Sequence, residues 1–468
     1  MAGHAIDEGA MVHDDAAIRR MLNARRVAVV GASRDPKKLS GTLLPSILTG
    51  GYTGEVFPVN PKADVVAGLK AYPSVTDIPS NLDLVIIAVP ARFVPGIIHE
   101  AADKSAAGAI VISAGGRESG KPQFEREILQ IARERGLRFF GPNTQGVAYA
   151  PNHLSAVFWP VVTVPGPIAV VGQSGAVVAA ITDWAQDDGL GVNASISLGN
   201  QADICESDVI RVLADDVQTR AIALYLEGVD DGGRFVNAVR KVGPRKPIVV
   251  LKCGRSQRGR EAVASHTGSL AGSDQVFDGV CRQFGVVRAE DSESLYDIAK
   301  ILACMRLPAG RRVLVISSSG GSCALAADVG DKTGLVLPDL PGELVGALRD
   351  IGLAEWGSFA NPLDLGSPFV EQFRAAIRIT DEANVADIIL PVFGDPIEGA
   401  ADLMAELVPE TRARLCAAYY GGGAVEQFER RRMQRAGVPV FPSPERAMKA
   451  IGASCWYGEK RRMWEAEP

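Results

Sequence analysis

The chain has 468 residues, enough for about three domains of ordinary size. Hydrophobic residues make up 47% of the sequence and charged residues 22%, a composition that excludes a disordered or fibrous protein. The 49 basic and 55 acidic residues give a net charge of −6, so a basic face for nucleic acid is not expected.

The cysteines and the apolar runs indicate the cellular compartment of the protein. The seven cysteines are scattered and form no CxxC pair, which argues against a disulfide framework and a zinc site and fits a reducing compartment. The longest apolar runs have the length of a strand, well short of the ~20 residues that span a bilayer. The first residues lack an apolar core of signal-peptide length. We therefore expect a cytoplasmic protein with no membrane contact and no metal of its own.

Short apolar runs alternate with helical patterns along the chain, and a Gly- or Ser-rich turn follows several of them. These runs are 26–30, 84–89, 109–112, 167–171, 248–252, 312–316 and 386–392. Runs that are apolar throughout are typical of strands buried on both faces, and helices between them indicate parallel sheets. The pattern predicts an α/β protein built of consecutive doubly wound units.

Proline and glycine clusters mark the boundaries between these units. Gly141–Asn143 closes the first unit, and Pro160–Pro167, with three prolines in eight residues, leads into the second. Leu307–Gly310 separates a helix from the next strand. The predicted domains are 1–150, with an extension over 1–20 that we expect to be helical, 151–308 and 309–468.

The turn after the first strand has the features of a phosphate-binding site. Gly31 follows an apolar strand and precedes a helix, so backbone amides and the helix dipole can face an anion. The same turn carries Ser33, Arg34 and Lys38. Ser33 replaces the second glycine of the dinucleotide fingerprint, and Lys62 follows the second strand where an NAD enzyme favours an acid. The charges favour coenzyme A over NAD, and the plainer alternative is an ordinary turn with a solvated lysine.

The second unit offers a glycine turn, a histidine and a glutamate. Gly172–Gly175 lies between a strand and a helix, where amides can hold a phosphate. His266 lies among small residues and glycines, in a predicted loop before a helix that begins near Asp274, and could act as a nucleophile or base. Glu227 ends an apolar strand and could orient a histidine, or be a solvated turn residue. His99, in contrast, falls on a helical pattern and is expected at the surface.

Together these motifs resemble the α subunit of NDP-forming acyl-CoA synthetases, of the ADP-forming acetyl-CoA synthetase type, within the succinyl-CoA synthetase superfamily. The matching segments run in family order from about residue 24 to about 458. They are Val27–Pro36, Asn60–Lys62, Gly141–Asn143, Gly172–Gly175, Ser197–Asn200, Tyr225–Gly228, Ser265–Asp274 and Gly437–Arg446. The resemblance implies an N-terminal Rossmann-like CoA-binding domain followed by two flavodoxin-like ligase domains.

The resemblance also implies a reaction and its residues. A carboxylic acid, CoA and ATP would interconvert with acyl-CoA, ADP and phosphate, through an acyl phosphate and a phosphohistidine at His266 supported by Glu227. The implied phosphate-binding residues are Gly172, Gln173, Ser174, Gly175, Gly268 and Ser269. The implied CoA-binding residues are Gly31, Ser33, Arg34, Lys38, Asn60, Lys62, Val89, Pro90, Ser113, Ala114 and Gly115, and Asn143 and Thr144 would lie near the substrate.

One part of such an enzyme has no counterpart in the sequence. No segment of the sequence resembles the ATP-grasp module that binds the nucleotide in this family. The resemblance therefore implies a separate β subunit that binds ATP or ADP with Mg²⁺, in an α2β2 heterotetramer. Thr144 stands where the family commonly has Cys, so the acid is not assumed to be acetate. Two alternatives remain: a non-catalytic regulatory protein that binds CoA or acyl-CoA, and a nicotinamide-dependent dehydrogenase.

Overall fold

The structure is a computed structural model that describes residues 15–159, 164–267, 272–352 and 357–466, with only the backbone described for 265–267. Within these ranges, no helix combines the length and the apolar character needed to cross a bilayer. The described elements group into three main sheets, each flanked by helices.

The first sheet has five parallel strands in residues 15–159, in the order β2-β1-β5-β6-β7, and a small β3-β4 hairpin lies beside it. Its strands are β1 (Arg26–Val30), β2 (Glu55–Val59), β3 (Val65–Val66), β4 (Leu69–Lys70), β5 (Leu84–Ile87), β6 (Gly108–Val111) and β7 (Arg138–Phe140). Its helices are α1 (Asp15–Leu22), α2 (Leu39–Thr49), α3 (Val94–Asp103) and α4 (Pro122–Glu134), with short 3-10 turns at Ala91–Phe93 and Arg117–Ser119.

The second sheet has seven strands among the described residues, in the order β14-β13-β12-β10-β11-β8-β9. They are β8 (Gly146–Tyr149), β9 (Leu154–Val157), β10 (Ile168–Gly172), β11 (Ala194–Ser197), β12 (Ala221–Leu226), β13 (Ile248–Lys252) and β14 (Val287–Arg288). The helices are α5 (Gly175–Asp187), α6 (Glu206–Ala214), α7 (Gly232–Val242), α8 (Gln257–Thr267), α9 (Asp274–Phe284) and α10 (Ser292–Cys304), and a 3-10 turn covers Ala150–Asn152.

The third sheet has six parallel strands in the described part of 309–468; five follow the order β16-β15-β17-β19-β20, and β18 also pairs with β17. They are β15 (Val313–Ser317), β16 (Leu363–Asp364), β17 (Ile388–Phe393), β18 (Arg414–Leu415), β19 (Ala417–Tyr419) and β20 (Val440–Phe441). The helices are α11 (Gly320–Thr333), α12 (Gly342–Arg349), α13 (Val370–Glu382), α14 (Ala400–Glu410), α15 (Ala424–Arg435) and α16 (Pro444–Ala466).

Helices at both ends of the described chain join neighbouring sheets. In α1, Ile18 and Met21 are buried, while Arg19 donates to the carboxylate of Asp215 (2.8 Å) at the end of α6. In α16, which packs on α10 and α11, the Tyr457 hydroxyl donates to the carbonyl of Gly243 (2.7 Å). The sheets are therefore held together by burial of apolar area and by polar anchors.

The predicted fold class is confirmed. The runs at 26–30, 84–89 and 248–252 contain the parallel strands β1, β5 and β13, which are buried over almost their whole length. The second sheet also contains two antiparallel strands, β8 and β9. A short 3-10 turn connects these two strands, so no crossover helix is needed. Since β8 begins at Gly146, the second sheet starts before the predicted boundary at 150, and the domain limits stay a prediction.

Candidate active site

A cleft of about 630 Å³ opens where the carboxyl ends of the first and second sheets face each other. Ligands of parallel α/β proteins bind at this edge, because the loops that follow the strands converge there. Its wall from the first sheet consists of Lys38, Leu39, Ser40, Ala88, Val89, Pro90, Ile112, Ser113 and Ala114. The opposite wall consists of Asn143, Thr144, Gln145, Phe158, Gln173, Ser174, Gly175 and Ala176.

The turn after β1 is shaped by its glycine. Gly31 has a φ of +87°, and a Cβ there would lie 2.4 Å from the carbonyl oxygen of Ala88, so only glycine fits. The Ser33 hydroxyl accepts a hydrogen bond from the amide two residues later (3.0 Å), which closes the turn. Arg34 and Lys38 are exposed around it. The amides of Gly31 and Ser33 donate to carbonyls within the protein, so Arg34 and Lys38 are the groups of this turn that can meet a phosphate.

Asn60 ties the loop after β2 to this turn. Its side-chain amide donates to the carbonyl of Ala32 (2.8 Å), and its side-chain oxygen accepts from the amide of Lys62 (2.8 Å). Lys62 itself is exposed. The Asn60 side chain therefore positions the Lys62 loop, and Lys62 is the side chain that can reach an anion.

Ser113 joins the ends of β5 and β6 at the cleft wall. Its buried hydroxyl donates to the carbonyl of Val89 (2.6 Å) and accepts from the amide of the same residue (3.2 Å). The exposed Pro90 and Ala114 flank this contact. The Ser113 hydroxyl is thus engaged within the protein, and its role in the cleft is to fix the backbone.

The turn at Gly115 binds a carboxylate of its own chain. The amides of Gly115 (2.6 Å) and Gly116 (3.0 Å) donate to one oxygen of Glu118, and the side chain of Asn200 donates to the other (2.5 Å). Burial alone would raise the pKa of Glu118, but these donors lower it below its usual value. The Gly115 amide is therefore occupied by Glu118, and the hydrogen bond from Asn200 to Glu118 joins the two walls of the cleft.

The link between the sheets forms the floor of the cleft. Asn143 is exposed, has a φ of +58°, and donates a side-chain hydrogen bond to Asn200 (3.3 Å). Thr144 is buried, and its hydroxyl donates to the carbonyl of Ser197 (2.6 Å). Asn143 consequently presents its side chain to the cleft edge, whereas Thr144 shapes the backbone beneath it.

The N-terminus of α5 faces the cleft from the second sheet. Ser174 is its N-cap, and its side chain makes no capping hydrogen bond. Gln145 covers Gly175, where a Cβ would lie 2.2 Å from the Gln145 Cγ. With its amide oriented to satisfy both partners, Gln145 accepts from the amide of Ala176 (3.2 Å) and donates to the carbonyl of Gly175 (3.0 Å). The helix dipole favours an anion beside these residues.

Gln173 connects this turn to Glu227. Its side-chain oxygen accepts from the amides of Glu227 and Gly228 (3.0 Å to the latter), and its nitrogen donates to the carbonyl of Gly228 (3.0 Å). Glu227 is only 4% exposed and directly follows β12. The predicted phosphate-binding residue Gln173 thus uses its side chain to hold the backbone of the predicted supporting glutamate.

His266 lies on helix α8, one residue before its C-terminal residue. The predicted loop at His266 was wrong, because good helix formers such as Arg260, Glu261 and Ala262 carry the helix to Thr267. Helix α8 contacts the 3-10 turn Arg117–Ser119 of the opposite wall. Gly268 and Ser269 lie outside the described residues, as does the side chain of His266.

Comparisons with known proteins place the chain in a family. Residues 25–150 match the CoA binding domain family, and residues 165–302 match the succinyl-CoA ligase like flavodoxin domain family. The α subunit of acetate–CoA ligase [ADP-forming] I from Pyrococcus furiosus is 36% identical over 448 residues, which cover 93% of this chain and 96% of that relative.

The chain belongs to the ADP-forming acetate–CoA ligase family.

Two further comparisons agree with this membership. A longer relative from Archaeoglobus fulgidus, acetate–CoA ligase [ADP-forming] I, is 38% identical over 437 residues, which cover 93% of this chain and 63% of that relative. The structure of acetyl-coenzyme A synthetase 1 from Ca. Korarchaeum cryptofilum, in complex with phosphate and ADP, superposes with a TM-score of 0.88 at 31% identity. That superposition covers 96% of this chain and 99% of the other.

The structure brings ten of the 21 predicted site residues to the lining of one cleft. Of the predicted set, Lys38, Val89, Pro90, Ser113, Ala114, Asn143, Thr144, Gln173, Ser174 and Gly175 line it. Sequence reasoning missed Gln145, Phe158 and Glu118. The signal available for Gln145 was its position two residues after the matched segment Gly141–Asn143. No sequence pattern pointed to Phe158 or Glu118, because their contacts form only when distant segments of the chain pack together.

Proposed function

We propose that this chain is the α subunit of an acyl-CoA synthetase that forms a nucleoside diphosphate and proceeds through an acyl phosphate and a phosphohistidine at His266. The cleft is the observation that carries the proposal, because Lys38 lies in its lining with the N-terminus of α5. Gln173, which also lines it, accepts a hydrogen bond from the amide of the buried Glu227. The relatives above are ligases, which supports an enzyme over a regulatory CoA-binding protein.

The cleft suits the first chemical step. An oxygen of phosphate, held by amides at the start of α5, attacks the thioester carbon of acyl-CoA; the carbon–sulfur bond breaks, and CoA leaves as the thiol after taking a proton. We assign the CoA phosphates to the turn of Gly31 and to Lys38 and Lys62, whose charges complement them. The reactive end of CoA then lies toward Asn143.

The second step transfers the phosphoryl group to the chain. A ring nitrogen of His266 attacks the phosphorus, the bond from phosphorus to the acyl oxygen breaks, and the carboxylate leaves. Glu227 accepts a hydrogen bond from the other ring N–H and compensates the positive charge that develops on the imidazole. The phosphoryl group then passes from His266 to a nucleoside diphosphate.

We assign the nucleotide to a separate ATP-grasp β subunit that holds ATP or ADP with Mg²⁺, in an α2β2 assembly. Two observations support the assignment. The Pyrococcus furiosus relative is itself named an α subunit, and the match to this chain covers only 63% of the longer Archaeoglobus fulgidus relative. The substrate is a carboxylic acid small enough to share the cleft with phosphate and the end of CoA.

Phosphorylation of the isolated chain tests the proposal. Acetyl-CoA and radiolabelled phosphate should label the wild-type chain with an acid-labile phosphoryl group, and His266→Ala should abolish the label. His99→Ala is the matched control, because His99 is exposed on α3 and outside the cleft. Equal labelling of wild type and His266→Ala would refute the assignment of the nucleophile. Calorimetric binding of NADH without binding of CoA would refute the function.

A further inference from the structure

The segment Ser197–Asn200, at the carboxyl end of β11, packs against the floor of the cleft. The backbone amide of Asn200 donates to the carbonyl of Pro142 (2.9 Å). Gly199 has a φ of +59°, and a Cβ there would lie 2.4 Å from the same carbonyl oxygen, so only glycine allows this approach. The packing places the Asn200 side chain beside Asn143, which lines the cleft.

Two carboxylates fix the orientation of the buried Asn200 amide. Its side-chain nitrogen donates to Glu118 (2.5 Å) and to Glu125 (2.8 Å). An ionised carboxylate only accepts hydrogen bonds, so the reversed amide, with its oxygen toward these groups, is excluded. Both carboxylates are held in place themselves. The amide of Gly115 donates to Glu118 (2.6 Å), and an ion pair joins Arg117 to Glu125 (3.2 Å).

The orientation of Asn200 determines that of Asn143. The side-chain oxygen of Asn200 faces Asn143 and accepts a hydrogen bond from its side-chain nitrogen (3.3 Å). Because this nitrogen is turned toward Asn200, the side-chain oxygen of Asn143 lies on the other side of the amide. Asn143 lines the cleft and Asn200 does not, so the oxygen is turned toward the cleft. Within the described part of the chain no group donates to this oxygen, which leaves it as an acceptor for a ligand.

We propose that Asn200 is a positioning residue that aims the side-chain oxygen of Asn143 at a hydrogen-bond donor in the reactive end of CoA. That end has two donors: the thiol S–H of free CoA, and the neighbouring amide N–H, which CoA and acyl-CoA share. An amide oxygen complements either donor. This inference rests on the proposed function, which places the reactive end of CoA toward Asn143.

Calorimetric titration of the full chain with three ligands tests the proposal. The ligands are CoA, acetyl-CoA and adenosine 3′,5′-bisphosphate, which corresponds to the nucleotide end of CoA without the pantetheine arm. Asn200→Ala should weaken the binding of CoA by roughly three- to tenfold, the effect of one misplaced hydrogen bond. Affinity for the bisphosphate should stay within about twofold, because this ligand has no group that reaches Asn143. A variant that merely loosened the CoA site would bind the bisphosphate less tightly as well.

The comparison of CoA with acetyl-CoA distinguishes the two donors. An equal loss of affinity for both ligands assigns the amide N–H, because both carry it. A loss for CoA alone assigns the thiol, because the thioester has no S–H. A loss for acetyl-CoA alone would contradict the proposal, since acetyl-CoA carries no donor that CoA lacks.

Two further variants separate positioning from a structural role. Asn143→Gly removes the amide, and glycine adopts the φ of +58° without strain. In this background Asn200→Ala should cause no further loss of CoA affinity, because Asn200 acts through Asn143. Asn152→Ala is the matched control. Asn152 is as buried as Asn200 and lies outside the cleft, and its nitrogen donates to the carbonyls of Leu22 (3.2 Å) and Ala24 (2.9 Å). This variant should bind all three ligands as the wild type does.

The outcomes are distinct from those for the proposed function. Wild-type affinity of Asn200→Ala for CoA would overturn the role of Asn200, as would an equal loss for the bisphosphate or a further loss in the Asn143→Gly background. Each of these results leaves His266 as the nucleophile. Labelling that persists in His266→Ala would overturn the proposed function itself. Should Asn200→Ala fail to fold, Asn143→Gly alone gives the second measurement, and wild-type affinity of that variant for CoA would overturn the proposal.

Discussion

Replacing Gln173 by alanine removes the side-chain hydrogen bonds that link the turn Gly172–Gly175 to Glu227 and Gly228, the residues that follow β12. The Gln173 side chain makes three hydrogen bonds to the backbone of Glu227 and Gly228, two as acceptor and one as donor. Glu227 and Gly228 are both buried, so the backbone groups left behind lose their partners in a poorly hydrated place.

The magnitude follows from these contacts. Each hydrogen bond contributes about 1 kcal/mol net, and each unsatisfied buried group costs about 1–3 kcal/mol. The cleft reaches Gln173, so water can replace some of the lost partners. We therefore expect Gln173→Ala to lower the free energy of unfolding by about 2–4 kcal/mol. The freed backbone at Glu227 should also slow the proposed phosphorylation of His266.

Urea unfolding gives the global effect, and hydrogen–deuterium exchange over residues 224–229 gives the local one. Exchange there should accelerate in Gln173→Ala, because the amides of Glu227 and Gly228 lose their acceptor. Gln130→Ala is the matched control: Gln130 is exposed on α4, and its side chain donates to Glu134 (2.9 Å), a contact worth at most about 0.5 kcal/mol. Unchanged exchange, with a loss below about 1 kcal/mol, would refute the reasoning.

Three further predictions test other parts of the structure. Burial mainly raises the pKa of Glu206 from 4.5 to about 7, so the unfolded chain releases this proton first and stability falls as the pH rises between these values. Glu206→Gln should therefore exceed wild-type stability by about 3 kcal/mol above pH 7 in urea titrations, and the difference should vanish below pH 4.5. Gly31→Ala should destabilise the protein far more than Gly68→Ala in the same assay, because both have positive φ but only Gly31 faces a carbonyl oxygen at 2.4 Å. Gln145→Ala should free space beside the start of α5 and raise kcat/KM for longer acids relative to acetate by up to about tenfold, measured with the β subunit.

Local patterns were enough to predict the strands and the glycine turn. Runs such as 26–30 and 248–252 are apolar throughout, which predicts buried parallel strands whatever lies around them. The positive φ of Gly31 belongs to the local turn, whereas the close approach of the Ala88 carbonyl, which excludes a Cβ there, depends on the packing of neighbouring strands. The error at His266 shows the limit of such reasoning, since small residues predicted a loop while the preceding helix formers extended the helix.

The amino-acid sequence by itself thus determined the fold class, the order of the elements and the choice of candidate residues, because these depend on short-range patterns of burial and turn chemistry. Only the tertiary structure decided what each side chain binds. Gln173 contacts Glu227 across 54 residues of chain, and Asn200 contacts Glu118 across 82. Such partners are selected by how the sheets pack, and no local pattern encodes that packing.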